Sequence, residues 1–457
     1  MKETAIGRIA EAMSGKLISG CAHTTITGVS TDSRKIGGND VFFALIGEKY
    51  NAHDFLFEAV DNGAKGIVVS EEENLPQVPG LNIIKVSDTA KALQDLAKWY
   101  ISGLSMKKVG ITGSNGKTTT KDMLYQICAE KYKTGKTAGN FNNHIGLPLS
   151  LLSFDADVEV GILEMGTERI GEIHLLAEIA KPDIAIITNI GVSHIASFGN
   201  RENILKGKME ITDFFNKQNA LIVNEENDLL SKENVSGEYR LITVGSSGKS
   251  NYILSGIEDL GENGIEFSLE YKEACKRFKL GNPGRHNAVN ASLAIAAAMD
   301  IGITMEEAER GLNKVSLMGN RLSIKGKDGI KVIDDTYNAS PDSMRSAIDL
   351  LQATKGMRKI AIIGDMLELG QDSKFYHEQI GGYAAQKNVD LLMFTGEMSL
   401  YAAEKAIEEI GENRVIYQKN PRKLEEQVKL IVRPGDVILV KGSRGMAMEN
   451  IVKLIMD

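Results

Sequence analysis

The stretch Gly110-Ile-Thr-Gly113-Ser114-Asn115-Gly116-Lys117-Thr118-Thr119-Thr120 constrains this chain more than any other. A short apolar run, Val109-Gly110-Ile111, precedes it and reads as the end of a buried strand. After it, Met123, Leu124, Ile127 and Cys128 recur at helical spacing. The order is therefore strand, glycine loop, helix. Glycines let backbone N–H groups turn inward around a phosphate, and the helix N-terminus adds partial positive charge. Lys117 can reach terminal phosphates, and Thr118 can place its hydroxyl on a magnesium ion. In the usual phosphate loop a glycine opens the motif at the position held here by Ile111. The glycines stand instead at 110, 113 and 116, so the loop is a shortened variant. A glycine-rich turn with a chance lysine is the simpler alternative; the flanking strand and helix favour the phosphate site.

A chain of 457 residues exceeds one ordinary core and predicts about two to four domains. Hydrophobic residues make up 42% and charged residues 25%, the balance of a soluble globular protein. No apolar run is long enough to cross a membrane. The N-terminus carries Glu3 and Glu11 and has no long apolar core, so it does not read as a secretory signal. Cys21, Cys128 and Cys275 are widely spaced and form no paired motif. They read as reduced, buried residues of a cytoplasmic protein, with no metal cluster. The net charge of −8 argues against general nucleic-acid binding, which needs a basic face.

Residues 1–105 read as a small α/β unit, with strands at 41–46, 66–69 and 81–86 and helices at 55–60 and 90–100. The polar cluster Ser30, Asp32, Ser33 and Arg34 suits either an anionic ligand or a solvated turn. Trp99 is expected to pack its helix onto the core.

Residues 106–320 form the second predicted unit. The loop 137–148 is rich in glycine and asparagine and includes Asn140, Asn142, Asn143 and His144. A strand at 158–165 ends in the carboxylate of Glu164, and another at 184–189 leads into a loop with His194. In parallel α/β sheets, ligands sit beyond the carboxyl ends of the strands. The phosphate loop, Glu164 and His194 all fall at such ends and can meet on one crest. A carboxylate and an imidazole beside a triphosphate suit magnesium. Lys206 and Lys208 lie on a helix predicted over 201–215, and nothing in the periodicity separates them. Alternating residues between 240 and 280, with Gly264, predict β-hairpins. The turn Arg285-His286-Asn287-Ala-Val-Asn290 leads into an alanine-rich helix at 291–299, and reads as a base-binding edge or a plain N-cap.

From 321 to 457 strands at 331–335, 359–364, 391–394, 414–417 and 436–440 alternate with helices, the pattern of a doubly wound, Rossmann-like domain. Polar clusters follow its strands: Asp334-Asp335-Thr-Tyr-Asn338, Gly364-Asp365-Met-Leu-Glu368 and Lys441-Gly-Ser443-Arg444.

These residues together resemble the Mur ligases, ATP-dependent amide-forming enzymes of bacterial cell-wall synthesis. The resemblance covers essentially the whole chain. It rests on the shortened loop, Glu164, His194, the Arg285–Asn290 turn, the three C-terminal clusters, and Asp32-Ser33-Arg34 with Phe42-Phe-Ala-Leu-Ile-Gly47. One departure is Asn51-Ala52-His53, where many members carry Asp-Gly-His.

The resemblance implies three α/β domains. Residues 1–105 would bind a uridine-nucleotide sugar peptide. A central domain over 106–320, with a parallel sheet plus β-hairpins, would bind ATP. A Rossmann-like domain over 321–457 would take the incoming dipeptide. Gly113, Ser114, Asn115, Gly116, Lys117, Thr118 and Thr119 would hold the phosphates. Asn287 and Asn290 would contact adenine, Asp335 the ribose, and Arg321 the phosphates from the hinge between domains. Mg2+ would rest on Thr118, Glu164, His194 and a carbamylated Lys208, with Lys206 the alternative. Lys117, His194 and Lys208 form the expected catalytic set. Ser30, Asp32, Ser33, Arg34, Asn143, Asn338 and Ser343 would meet the substrates.

The implied substrates are UDP-N-acetylmuramoyl-tripeptide and D-alanyl-D-alanine, joined through an acyl phosphate by a cytoplasmic, monomeric enzyme that takes no nucleic acid and spans no membrane. Two other readings share parts of this pattern. Folylpolyglutamate synthase has the loop and central domain; the N-terminal unit and Gly364–Gly370 speak against it. A nucleotide-gated regulatory module would have no need of Lys117, Glu164, His194 and Lys208 together.

Overall fold

Strand Lys107–Thr112 buries Val109 and Ile111 and lies inside a long mixed sheet. This is a computed structural model, and it describes residues 1–315 and 323–457. Among the described residues the chain forms three α/β layers built on sheets of five, nine and six strands.

In the nine-stranded sheet, Lys107–Thr112 pairs in parallel with Val160–Glu164 on one side and Ile184–Ile187 on the other. The register sets Glu164 opposite Ile111 and Ile187 opposite Thr112. The carboxyl ends of all three strands therefore open on the same edge. Ala220–Asn224, Arg240–Gly245 and Tyr252–Asp259 extend the parallel run. Antiparallel pairing begins only where Tyr252–Asp259, Ile265–Tyr271 and Ala274–Leu280 form a meander. The predicted hairpins are thus present, but Arg240–Gly245 belongs to the parallel part.

Helices Lys117–Cys128 and Arg285–Asp300 pack on one face through Met123, Leu124 and Ile127 against a wall of small residues including Ala291, Ala294 and Ala298. Each buried leucine, isoleucine or methionine contributes roughly 1.5–3 kcal/mol to that packing. Arg285–Asp300 begins earlier than the predicted 291–299, because Gly284 at φ +98° ends the preceding turn. The predicted turn residues Asn287 and Asn290 therefore stand on the helix itself. The predicted helix over 201–215 stops at Met209 and continues as a 3-10 turn, Glu210–Thr212.

The six-stranded sheet runs Ser323–Lys327, Ile330–Asp335, Asp436–Lys441, Arg358–Gly364, Leu391–Thr395 and Val415–Gln418. It is parallel except for the first hairpin. The smaller N-terminal sheet joins the central layer through Tyr100, whose hydroxyl donates to Phe154 O at 2.6 Å, and through Lys98 and Glu178 at 2.5 Å.

Three side chains depart from expectation. Trp99 is 37% exposed, because Leu93, Leu96, Ala97 and Tyr100 form the buried face of its helix. Cys21 is exposed in a loop, and Cys275 is exposed on the outermost strand of the meander. Only Cys128 is buried as predicted.

Candidate active site

Gly113 has φ +148° and Gly116 φ +82°, conformations that side chains resist. A Cβ on Gly113 would collide with Thr188 Oγ1, and one on Gly116 would lie 2.6 Å from Asn290 Oδ1. The loop is thus pressed between the next strand end and the alanine-rich helix. Ser114 N–H donates to Asn189 O at 3.0 Å, Asn115 N–H to Asn189 Oδ1 at 2.8 Å, and Gly191 N–H to Ser114 Oγ at 2.9 Å. Lys117 opens the helix and donates to Gly113 O at 2.7 Å and Ser114 O at 3.2 Å.

Glu164 is almost fully buried and saturated with donors. Thr118 Oγ1 donates to its Oε2 at 2.8 Å, Asn142 Nδ2 to its Oε1 at 2.9 Å, and Lys121 Nζ lies 3.2 Å from Oε2. Burial opposes its ionisation. The charges of Lys121 and Lys117, with the bonds from Asn142 and Thr118, outweigh burial and hold the carboxyl below its ordinary range. Lys121 also donates to Gly139 O at 2.9 Å, tying the asparagine-rich loop to the same carboxylate.

Lys208 is buried, whereas Lys206 is exposed. Burial, reinforced by the like charge of Lys117, holds the Lys208 amine well below the usual lysine range. His194 sits in the left-handed region at φ +60°. Its Nδ1 meets Glu368 Oε2 of the C-terminal layer at 2.7 Å. Ser340 Oγ donates to Asn115 Oδ1 at 3.2 Å, a second link across the same gap.

These elements enclose a cleft of about 990 Å³. Its walls include Ser114, Asn115, Gly116, Lys117, Thr119, Asn143, Glu164, His194, Asn287, Asn290, Asp335, Asn338 and Ser343. Room for a nucleotide, a glycine cradle and a buried carboxylate beside a lysine together suit phosphoryl chemistry.

Mur ligase models match three successive spans: the catalytic domain over residues 25–100, the middle domain over 111–298 and the glutamate ligase domain over 320–444. The UDP-N-acetylmuramoyl-tripeptide–D-alanyl-D-alanine ligase of Bacillus subtilis (strain 168) is 37% identical, across 100% of this chain and 99% of its own length. The chain belongs to the Mur ligase family. A crystal structure of MurF from Acinetobacter baumannii superposes with a TM-score of 0.90 at 29% identity, covering 100% of both chains. MurF ligase from Thermotoga maritima, solved in complex with ADP, gives 0.81 at 30% identity, covering 93% of this chain and 96% of its own.

As in the sequence-based expectation for a Mur ligase, residues from distant segments meet in one cleft. Other expected residues stand apart. Gly113, Thr118 and the buried Lys208 are not among the cleft's walls, and neither are Ser30, Asp32, Ser33 and Arg34. There Arg34 Nε pairs with Asp32 Oδ1 at 2.8 Å, and this bond holds the Asp32 carboxyl down to about 2. Ser30 Oγ donates to Asp32 O, and Ser33 Oγ donates to Glu58 Oε2. Several lining residues also serve structure: Asn143 Oδ1 accepts from Gly146 N–H, Ser343 completes a capping box with Ser340, and Lys441 Nζ bridges Asp335 Oδ2 and Asn338 O at 2.5 and 2.8 Å. Arg321 lies outside the described residues. Sequence reasoning assigned no role to Lys121 or Asn142. The signal for Lys121 was its spacing of one helical turn from Thr118, which sets both on the side facing Glu164.

Proposed function

We propose that this chain joins D-alanyl-D-alanine to UDP-N-acetylmuramoyl-tripeptide at the expense of ATP. The products are UDP-N-acetylmuramoyl-pentapeptide, ADP and phosphate, in peptidoglycan precursor synthesis. The observation that carries this reading is similarity along the entire chain to a ligase of that name, with the phosphate loop and Glu164 set in one cleft. The sugar peptide is assigned to residues 1–105, ATP to 106–320 and the dipeptide to 321–457.

In this reading Gly113–Thr119 cradles the phosphates, Asn287 and Asn290 meet adenine, and Asp335 meets the ribose. Thr118 Oγ1 and Glu164 Oε2 stand 2.8 Å apart, an oxygen pair of the kind Mg2+ takes, and that ion completes its shell with phosphate and water oxygens. Thr118 and Glu164 would hold one ion, and His194 with carbamylated Lys208 a second. When bound, the ions would draw charge from the transferring phosphoryl group. The buried, deprotonation-prone amine of Lys208 is the form that adds carbon dioxide, which favours it over exposed Lys206.

A carboxylate oxygen of the tripeptide attacks the γ-phosphorus, the bond to the ADP oxygen breaks, and an acyl phosphate forms. The dipeptide amine, having lost a proton, attacks the acyl carbon. The tetrahedral adduct collapses to the amide with loss of phosphate. Lys117 offsets the anionic charge that these steps bring together. The C-terminal layer covers the cleft and limits water, which would hydrolyse the acyl phosphate.

Phosphate release from ATP with Mg2+, each substrate omitted in turn, tests the reading. Release requiring both substrates, with a pentapeptide product by mass, is expected. Equal release with a single amino acid in place of the dipeptide would move the chain to a sister ligase.

A further inference from the structure

The contact between His194 and Glu368 joins two residues that are both held in left-handed backbone conformations, at φ +60° and +68°. Each belongs to a different layer of the molecule. Glu368 follows the strand Arg358–Gly364 in the C-terminal layer, and His194 follows Ile184–Ile187 in the central one. The link is doubled, because Ala196 N–H donates to Glu368 O at 3.2 Å. Gly370, at φ +57°, lies so close to Ala196 that an added Cβ would sit 3.2 Å from its Cα. The loop 365–370 is therefore seated on the His194 turn by backbone as well as side chain.

A carboxylate on Nδ1 fixes which nitrogen carries the proton. Glu368 Oε2 lies 2.7 Å from Nδ1; with the proton on that nitrogen, Nε2 keeps its lone pair. Among the described residues Nε2 has no hydrogen-bond partner, and His194 lines the cleft. An imidazole presented this way is the form that ligates a cation. The carboxylate that prepares it is carried by the other layer.

We propose that Glu368 is a positioning residue for His194, so that the imidazole is prepared for a divalent cation only when the C-terminal layer is docked. The proposal rests on the function assigned above. Docking then does more than exclude water. It orients a ligand on the opposite side of the cleft, which couples cation affinity to the arrangement of the layers.

The test uses the full chain and Mn2+ as probe, with ADP present and neither substrate added. Free Mn2+ is read by electron paramagnetic resonance. Glu368→Ala is expected to weaken Mn2+ binding by about tenfold, the usual effect of removing a carboxylate behind a ligating histidine. Glu368→Gln keeps an acceptor for Nδ1–H and is expected to stay within about threefold of the parent. In a His194→Ala background, Glu368→Ala should add no further loss. Unchanged Mn2+ affinity in Glu368→Ala overturns the proposal, as does an equal loss in the Gln and Ala variants. Failure of the ligase reading would appear separately, as absence of dipeptide-dependent phosphate release by the parent chain.

Discussion

Lys121 Nζ lies 3.2 Å from Glu164 Oε2, and both side chains are almost completely buried. The pair is not an ornament of the surface, where ion pairs contribute little. Removing one partner of a buried pair leaves the other charge without compensation. Lys121→Met is therefore expected to lower stability by about 3–5 kcal/mol. Urea unfolding of variant and parent measures this. A loss under about 1 kcal/mol would mean that Thr118 and Asn142 hold the carboxylate without the lysine.

The two lysines of helix Arg201–Met209 should behave oppositely. Lys208→Ala is expected to reduce dipeptide-dependent phosphate release on the order of 100-fold, as when a group that stabilises transition-state charge is lost. Lys206→Ala, on the exposed face, should stay within about twofold. Carbon-13 bicarbonate added to the full chain should give a carbamate resonance that Lys208→Ala abolishes and Lys206→Ala retains. A resonance surviving in Lys208→Ala would assign the carbamate elsewhere.

The three thiols should separate by exposure. Cys21 and Cys275 are exposed, while burial pushes the Cys128 thiol up to about 12. An aromatic disulfide reagent at neutral pH should titrate two thiols quickly in the native chain and the third only after denaturant. Fast reaction of all three would show that helix Lys117–Cys128 opens readily.

Much of this site was legible in the residues because the chemistry sits at strand ends. The glycine loop, Glu164 and His194 each follow an apolar run, and parallel pairing brings such ends to one edge without any knowledge of the loops between. What the pattern could not supply was side-chain direction. Lys206 and Lys208 are two residues apart on one helix, hence on different faces, and only packing decides which face is buried. Trp99 misled for the same reason. Its size argued for burial, but Leu96 and Tyr100 already fill the inward face. Cys275 alternates outward on an edge strand, and only the register of the meander shows that. The polar cluster at Ser30–Arg34 proved ambiguous in fact as well as in sequence. Its charges satisfy one another beside the N-terminal sheet, and it lies outside the main cleft.

His377 supplies a pH-dependent prediction for the loop that carries Glu368. Its Nδ1 lies 2.7 Å from Ser373 O, and its Nε2 accepts from Met366 N–H at 3.0 Å. The ring is therefore neutral, with the proton on Nδ1. Burial pushes its pKa below the ordinary value, although Ser373 O and Asp365 pull the other way. A base with a depressed folded pKa binds protons more readily when unfolded. Its contribution to stability is thus complete above the ordinary histidine value of about 6.5 and declines as pH falls below it. Protonation would also turn Nε2 into a donor facing the Met366 N–H. His377→Leu should cost about 1–3 kcal/mol at pH 8, where Met366 N–H loses its acceptor. The gap between parent and variant in urea midpoint should narrow as pH drops below about 6.5. A gap that stays constant across that range would show that His377 is not held neutral by the fold, and a gap near zero at pH 8 would show that Met366 N–H does not depend on it.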